Sequence, residues 1–225
     1  MAPFPRLLIL FFWLLSPGLF GQSTAGRQLH SRPLNPATPY FPLALFLDST
    51  YHEAGVIGAA ALRAAADTDA AGRWVVQPDT FRARRYSAVL FSLGEPVLSQ
   101  PFSGRTVYRL TCFRPFDPPL VIRLEQAGKQ PFLHTKILGK LDTVRYVSRA
   151  DFRRLTTLIA DSQAVRQPTT LQNALRIDGT TWLLELHTDG GYHFLLRWQP
   201  APGSAVAAIG RALIELSDAR TETRF

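Results

Sequence analysis

Three runs of the chain alternate apolar and polar side chains with a period of two, the pattern of strands with one buried face. In 107–114 Tyr108, Leu110 and Cys112 share a side, and in 120–125 Leu120, Ile122 and Leu124 do the same. In 132–138 Leu133, Thr135 and Ile137 alternate with His134 and Lys136. The connections at 115–119 and 127–130 are short, which predicts an antiparallel meander. Elsewhere the period is helical. Tyr86, Val89, Leu90 and Leu93 fall at i, i+3, i+4 and i+7, and Gly94 with Pro96 follows as a stop. Ser148 is placed to cap a helix with Asp151 in its first turn and Phe152, Leu155 and Ile159 as its buried stripe. Val206, Ile209, Leu213 and Leu216 mark one face of a last helix. Upstream, Thr50 and Glu53 form a capping box before an Ala-rich run to Ala66. Residues 164–178 carry no clear period.

Between Thr180 and Pro200 lies a hairpin whose register decides where its ionisable groups point. A two-residue turn at Asp189-Gly190 would set Glu185 opposite Phe194 and Trp182 opposite Arg197, mixing polar and apolar residues on both faces. A three-residue loop, Asp189 to Gly191, sets Trp182 against Trp198, Leu184 against Leu196 and Leu186 against Phe194, leaving one face wholly apolar. The second register buries more apolar surface per face and is the one expected. Its polar face pairs His187 with His193 and places Glu185 diagonally to Arg197. Carried across the meander, the same parity adds Arg109, Arg123, Glu125, His134 and Lys136. The expected fold is α+β: an antiparallel sheet of about five strands, helices packed on one face, and a polar, net basic surface on the other.

The N-terminus changes the picture. A basic start ending at Arg6, an apolar run from Leu7 to Leu15, a Pro17-Gly18 break and small residues thereafter predict a secretory signal peptide over 1–25. Ser23 and Ala25 suit the −3 and −1 positions, and nine apolar residues are too few to span a bilayer, which takes about 20. Membrane contact is therefore expected only through the signal before its cleavage. Pro33, Pro36, Pro39 and Pro42 then suggest an extended tether over 26–48, ahead of one domain over 49–225. One cysteine, Cys112, cannot form an internal disulfide, so stability must come from an apolar core. Its core-facing parity marks it as a small buried hydrophobe. The formal charge is +8, but only Lys129, Lys136 and Lys140 are lysines and no dense basic run with interleaved aromatics stands out. Nucleic acid is not an expected partner.

Asp178-Gly179, Trp182, Glu185, Tyr192-His193, Arg197-Trp198 and Pro200 together resemble the C-terminal signature of a family of uncharacterised exported bacterial proteins. The segment 108–125, YRLTCFRPFDPPLVIRLE, resembles the strand and turn that precede it there. The resemblance covers about 94–217 and implicates Glu185, His193 and Arg197 without assigning roles. At 143–146 this chain has Thr-Val-Arg-Tyr where the resembling sequences tend to carry Gly-Gly-Tyr.

The polar face has three possible uses. It could be a solvated surface with Glu185 and Arg197 as an ordinary ion pair. It could grip an acidic small molecule or anionic envelope polymer through Arg197, Arg109, Arg123 and Lys136, because guanidinium forks suit oxyanions. Or it could do chemistry, with Glu185 and His193 as an acid/base pair or His187 and His193 as metal ligands, the latter needing further ligands from Glu185 or His134. His52-Glu53 lacks the second His of a zinc-protease helix, and no Gly-x-Ser-x-Gly or phosphate loop occurs. Asp67, Asp69 and Gly72 imitate a calcium loop, but Ala71 and Pro78 stand where it needs oxygen ligands. No cofactor is implied. The sequence thus points to an exported, non-catalytic binding module of the periplasm or the extracellular space. The alternative is a small hydrolase or metal-dependent enzyme using Glu185, His187, His193 and Arg197.

Overall fold

The computed structural model describes residues 33–42, 67–68, 74–75, 80–100, 104–169 and 179–219. The capping box at Thr50 and Glu53 and its helix lie outside them. Two-residue strands β1 (Asp67–Thr68) and β2 (Trp74–Val75) pair with each other, and helix α1 (Thr80–Ser92) follows. Then come β3 (Arg105–Phe113), β4 (Leu120–Ala127), β5 (Pro131–Ile137) and β6 (Leu141–Tyr146). After them lie α2 (Arg149–Asp161), the hairpin β7 (Thr181–Thr188) and β8 (Gly191–Trp198), and α3 (Ala205–Leu216). Strands β3 to β8 form one antiparallel sheet in the order β6-β5-β4-β3-β7-β8. The fold is α+β as expected, with six strands in that sheet rather than five. The added strand, β6, is an edge strand whose half-exposed residues carry little periodic signal.

Both predicted caps are local chemistry visible in the sequence. The Ser148 hydroxyl accepts from the amide of Asp151 and so satisfies a free donor at the start of α2. Gly94, at φ 67°, ends α1 with the amide of Gly94 bonded to Phe91 O and that of Glu95 to Leu90 O. This paired closure needs a left-handed residue, hence glycine.

Helices α2 and α3 cover one face of the sheet. Phe152, Leu155, Ile159, Val206, Ile209 and Leu213 pack there against Tyr108, Leu110, Ile122, Leu124, Trp182 and Leu184. Cys112 is fully buried on this face, as its parity predicts. Helix α3 comes so close that a Cβ on Gly210 would lie 2.2 Å from Cζ3 of Trp182. The opposite face is covered too. Ala83, Tyr86 and Leu90 of α1, with Leu93 just after it and Tyr40, Phe41 and Val97, pack against Val121, Leu183, Phe194 and Leu196. Tyr86 stacks on Phe113 with ring centroids 4.2 Å apart. This corrects the expected tether. Residues 33–42 hold a turn closed by the Thr38 amide on Asn35 O, and Tyr40 and Phe41 are 0% and 2% exposed because the apolar layer beneath α1 takes both rings.

Cover on both faces also corrects the hairpin. The observed partners are Trp182 with Arg197, Leu184 with Leu195, Glu185 with Phe194 and His187 with Tyr192, the register of the two-residue turn. Mixed faces waste burial only when one of them meets water. Here Leu183 and Leu196 are buried on one side while Leu184 and Leu195 are buried on the other. Gly191 supplies the positive φ, 110°, at the end of the turn.

Gly210→Ala is expected to lower stability by about 1–3 kcal/mol, the cost of forcing a methyl into a filled core. Chemical denaturation would measure it, and an unchanged midpoint would contradict the close packing of α3 on Trp182.

Candidate functional site

The polar residues of β3, β4 and β5 meet those of β7 in a buried ionic layer beneath α1. Register brings them together: Arg109 sits between Arg123 on β4 and Glu185 on β7, and Arg123 has His134 as its other neighbour. Two arginines opposite each other on adjacent strands repel. Glu95 resolves the conflict. The glycine-closed end of α1 delivers its carboxylate over the pair, where Oε2 accepts from Arg123 Nε at 2.9 Å and Arg109 Nη1 at 3.5 Å. Its Oε1 lies 3.3 Å from Lys136 Nζ, which also donates to Leu93 O at 2.8 Å.

The remaining contacts extend the layer. Arg109 forks onto Glu185, Nε to Oε2 at 2.5 Å and Nη2 to Oε1 at 2.7 Å, and its Nη1 donates to Pro96 O at 2.7 Å. Tyr192 donates to Glu185 Oε1 at 3.0 Å. Arg123 Nη1 donates to Glu125 at 2.5 Å, and Arg105 reaches the other oxygen of Glu125 at 3.3 Å. Tyr40 closes the lid, its hydroxyl donating to Glu95 O at 2.6 Å and its ring 5.9 Å from the Arg109 guanidinium. Glu95, Arg109, Glu125 and Glu185 are all 0% exposed and Arg123 is 3% exposed.

Electrostatics keep the layer charged. Burial alone would raise the pKa of Glu95, but the charges of Arg123, Arg109, Lys136 and His134 outweigh it and hold the carboxyl below its ordinary 4.5. Burial would likewise lower Arg109, and Glu185 and Glu95 more than offset it. Tyr192 is pushed well up by burial first and by the Glu185 charge second, so it stays a protonated donor.

The expected open basic surface is therefore corrected. Arg109, Arg123 and Lys136 do lie on one face together with Glu185, but α1 and 33–42 cover that face and its carboxylates already engage these cations. Nor does Glu185 meet Arg197. With the two-residue turn, Arg197 and His193 project to the α2 and α3 side while Glu185 and His187 project to the α1 side. The Glu185–His193 acid/base pair and the His187–His193 ligand pair are both split by the thickness of the sheet. His187 instead turns Nδ1 to Leu98 O at 3.0 Å. Among the described residues no group of three or more His, Cys, Asp or Glu side chains is arranged to hold a metal ion.

Arg197 and His193 do a different job. Arg197 donates to Thr169 O and Pro168 O at 2.9 and 2.7 Å, and the amide of Leu196 bonds Thr169 O at 2.7 Å. The chain at 164–169, which includes a 3₁₀ turn (Ala164–Arg166), is thereby fastened along the outer edge of β8, where an uncovered strand would invite foreign pairing. Burial pulls Arg197 down to about 10, which still leaves it charged at neutral pH. His193 is lowered by burial and by Arg197, against bonds with the Gln167 and Ala164 backbone that favour its charge. Burial raises the Cys112 thiol, which makes it a poor nucleophile.

Glu95 is the site residue that sequence reasoning missed. It sits in a helix-stop motif, and no local pattern announces that it will meet three strands. Neither a scan against protein-family models nor a search of curated proteins finds a match to this chain.

Removing Glu95 strands two facing arginines, so Glu95→Gln is expected to cost about 3–5 kcal/mol, as for other buried pairs that lose one partner. Its pKa gives a second signature. A carboxyl held below 4.5 in the folded state contributes stability that is fully present above pH 4.5 and lost as pH falls through the folded value. The wild-type unfolding free energy should thus fall more steeply below pH 4.5 than that of Glu95→Gln. Parallel curves would contradict the charged state assigned to Glu95.

Proposed function

We propose that the chain is an exported, non-catalytic binding module for an anionic partner, acting in the periplasm or outside the cell. The ionic layer beneath α1 is its internal scaffold and not its ligand site. One observation carries this reading: Arg109, Arg123 and Lys136 are engaged by carboxylates in a covered layer, while the Glu185–His193 and His187–His193 pairs suited to catalysis or metal binding are split across the sheet. Positive charge open to a partner is then carried by exposed residues outside that layer, on helices α1 and α2 and on loop residues such as Lys129 and Lys140. Export is supported by the basic-then-apolar start and small residues of 1–25 and by the resemblance to a family of exported bacterial proteins.

A thermal-shift series on the purified protein tests the proposal. Polyanions such as polyphosphate or dextran sulfate are expected to raise the melting temperature by a few degrees at saturation, with the shift shrinking as salt is added. Zinc is expected to give no shift. Stabilisation by zinc or a neutral sugar, with none by any polyanion, would overturn the proposal.

A further inference from the structure

The sheet treats its two edges differently. Strand β8 is covered by the chain at 164–169, fastened by the amide of Leu196 on Thr169 O at 2.7 Å. Strand β6 ends the sheet on the other side, and no described residue pairs with its outer edge. One bond fixes which of its amides face outward. Val147 N donates to Pro131 O at 3.0 Å, which makes this a hydrogen-bonded position of the β5–β6 ladder. Bonded and non-bonded positions alternate along an antiparallel pair. Arg145 and Thr143 therefore turn their amides to Leu133 and Thr135, while Asp142, Val144 and Tyr146 turn N–H and C=O away from the sheet. Val144 and Tyr146 are also 60% and 78% exposed. Edge strands are ordinarily blunted by proline, lysine or a bulge. Strand β6 has none of these: it reads LDTVRY, and its register with β5 runs unbroken from Phe132 with Tyr146 to Ile137 with Leu141.

The occupant that fits this edge is a second copy of it. A twofold axis normal to the sheet lays β6 antiparallel on itself and keeps each face continuous, so outward residues oppose outward residues. With Val144 on the axis, Asp142 opposes Tyr146 on both sides of it, and all the outward residues are used in about six new backbone hydrogen bonds. Centring on Thr143 instead would set Tyr146 against Lys140, beyond the strand, and centring on Arg145 would set two arginines face to face. The Val144 register opposes no like charges. It brings the Tyr146 hydroxyl to the Asp142 carboxylate of the second copy, and Thr143 to Arg145 of the second copy. Within one chain Thr143 Oγ1 and Arg145 Nε already lie 2.8 and 3.6 Å from the Asp218 carboxylate. Two carboxylates and two guanidinium groups would thus interleave across the axis. Pairing consumes both β6 edges and leaves only the β8 edges that 164–169 covers, so assembly closes at two chains. We propose that the protein is a twofold dimer made by antiparallel pairing of β6 with β6 of a second copy, Val144 lying on the axis. The proposal stands independently of the anion-binding reading.

Sedimentation velocity of the full chain over a concentration series tests it, with circular dichroism to check that every variant is folded. The wild type is expected to run at twice the chain mass. Val144→Pro removes an outward amide and no bond to β5, the side of an edge strand that tolerates proline. It is expected to weaken the dimer roughly tenfold or more, because two hydrogen bonds at the axis are lost. Val144→Lys sets like charges against each other there and should weaken it similarly. Val165→Lys, which replaces another exposed apolar residue, should leave the mass unchanged. Amide exchange reads the register: Asp142 and Tyr146 should exchange slowly in the wild type and fast in Val144→Lys. A monomeric wild type, open-ended oligomers, or a dimer untouched by both Val144 substitutions would each overturn the proposal.

Discussion

A single carboxylate lying over two facing arginines organises this protein. Arg109 and Arg123 are directly opposite on β3 and β4, an arrangement that repels unless an anion is interposed. Glu95 supplies that anion from outside the sheet, so neutralising the pair also fastens α1 to it. The same carboxylate draws in Lys136 from β5, and the Glu95 carbonyl takes the Tyr40 hydroxyl. One residue after a helix thereby ties three strands, α1 and the 33–42 segment into a covered layer. Such a layer adds little net stability over an apolar one of the same shape, but it penalises any packing that leaves a charge unpaired.

That architecture decides how the ionisable groups can be used. A sheet face rich in arginine looks like a ligand surface until its counter-ions and its cover are counted. Arg109 is engaged by Glu185, Pro96 and Glu95, and Arg123 by Glu95 and Glu125. Arg197, on the other face, spends its donors on the carbonyls of 168–169 and so protects the β8 edge.

Much of the fold was legible in the sequence because it is written locally. Period-two alternation located β3, β4 and β5, the Ser148 cap located α2, and Gly94 with Pro96 marked the end of α1. The hairpin register was not read correctly, although its signal was present. Leu183-Leu184 and Leu195-Leu196 place adjacent leucines on opposite faces of both strands, which marks a sheet buried on both sides. Assuming one wet face turned that signal into an argument for the wrong loop. The ionic layer was half legible: parity placed Arg109, Arg123 and Lys136 together, while the partnership with Glu95 depends on a long-range approach that no spacing encodes.

The clamp formed by Glu95 is tested most directly by hydrogen exchange of the wild type as the solution is acidified from neutral pH to below 4.5. As Glu95 takes up its proton, amides of α1 and of 94–98 should lose protection while those of α2 and α3, held by an apolar face, keep theirs. Loss of protection in all three helices together, or in α2 and α3 first, would contradict the view that charge on Glu95 holds α1 to the sheet.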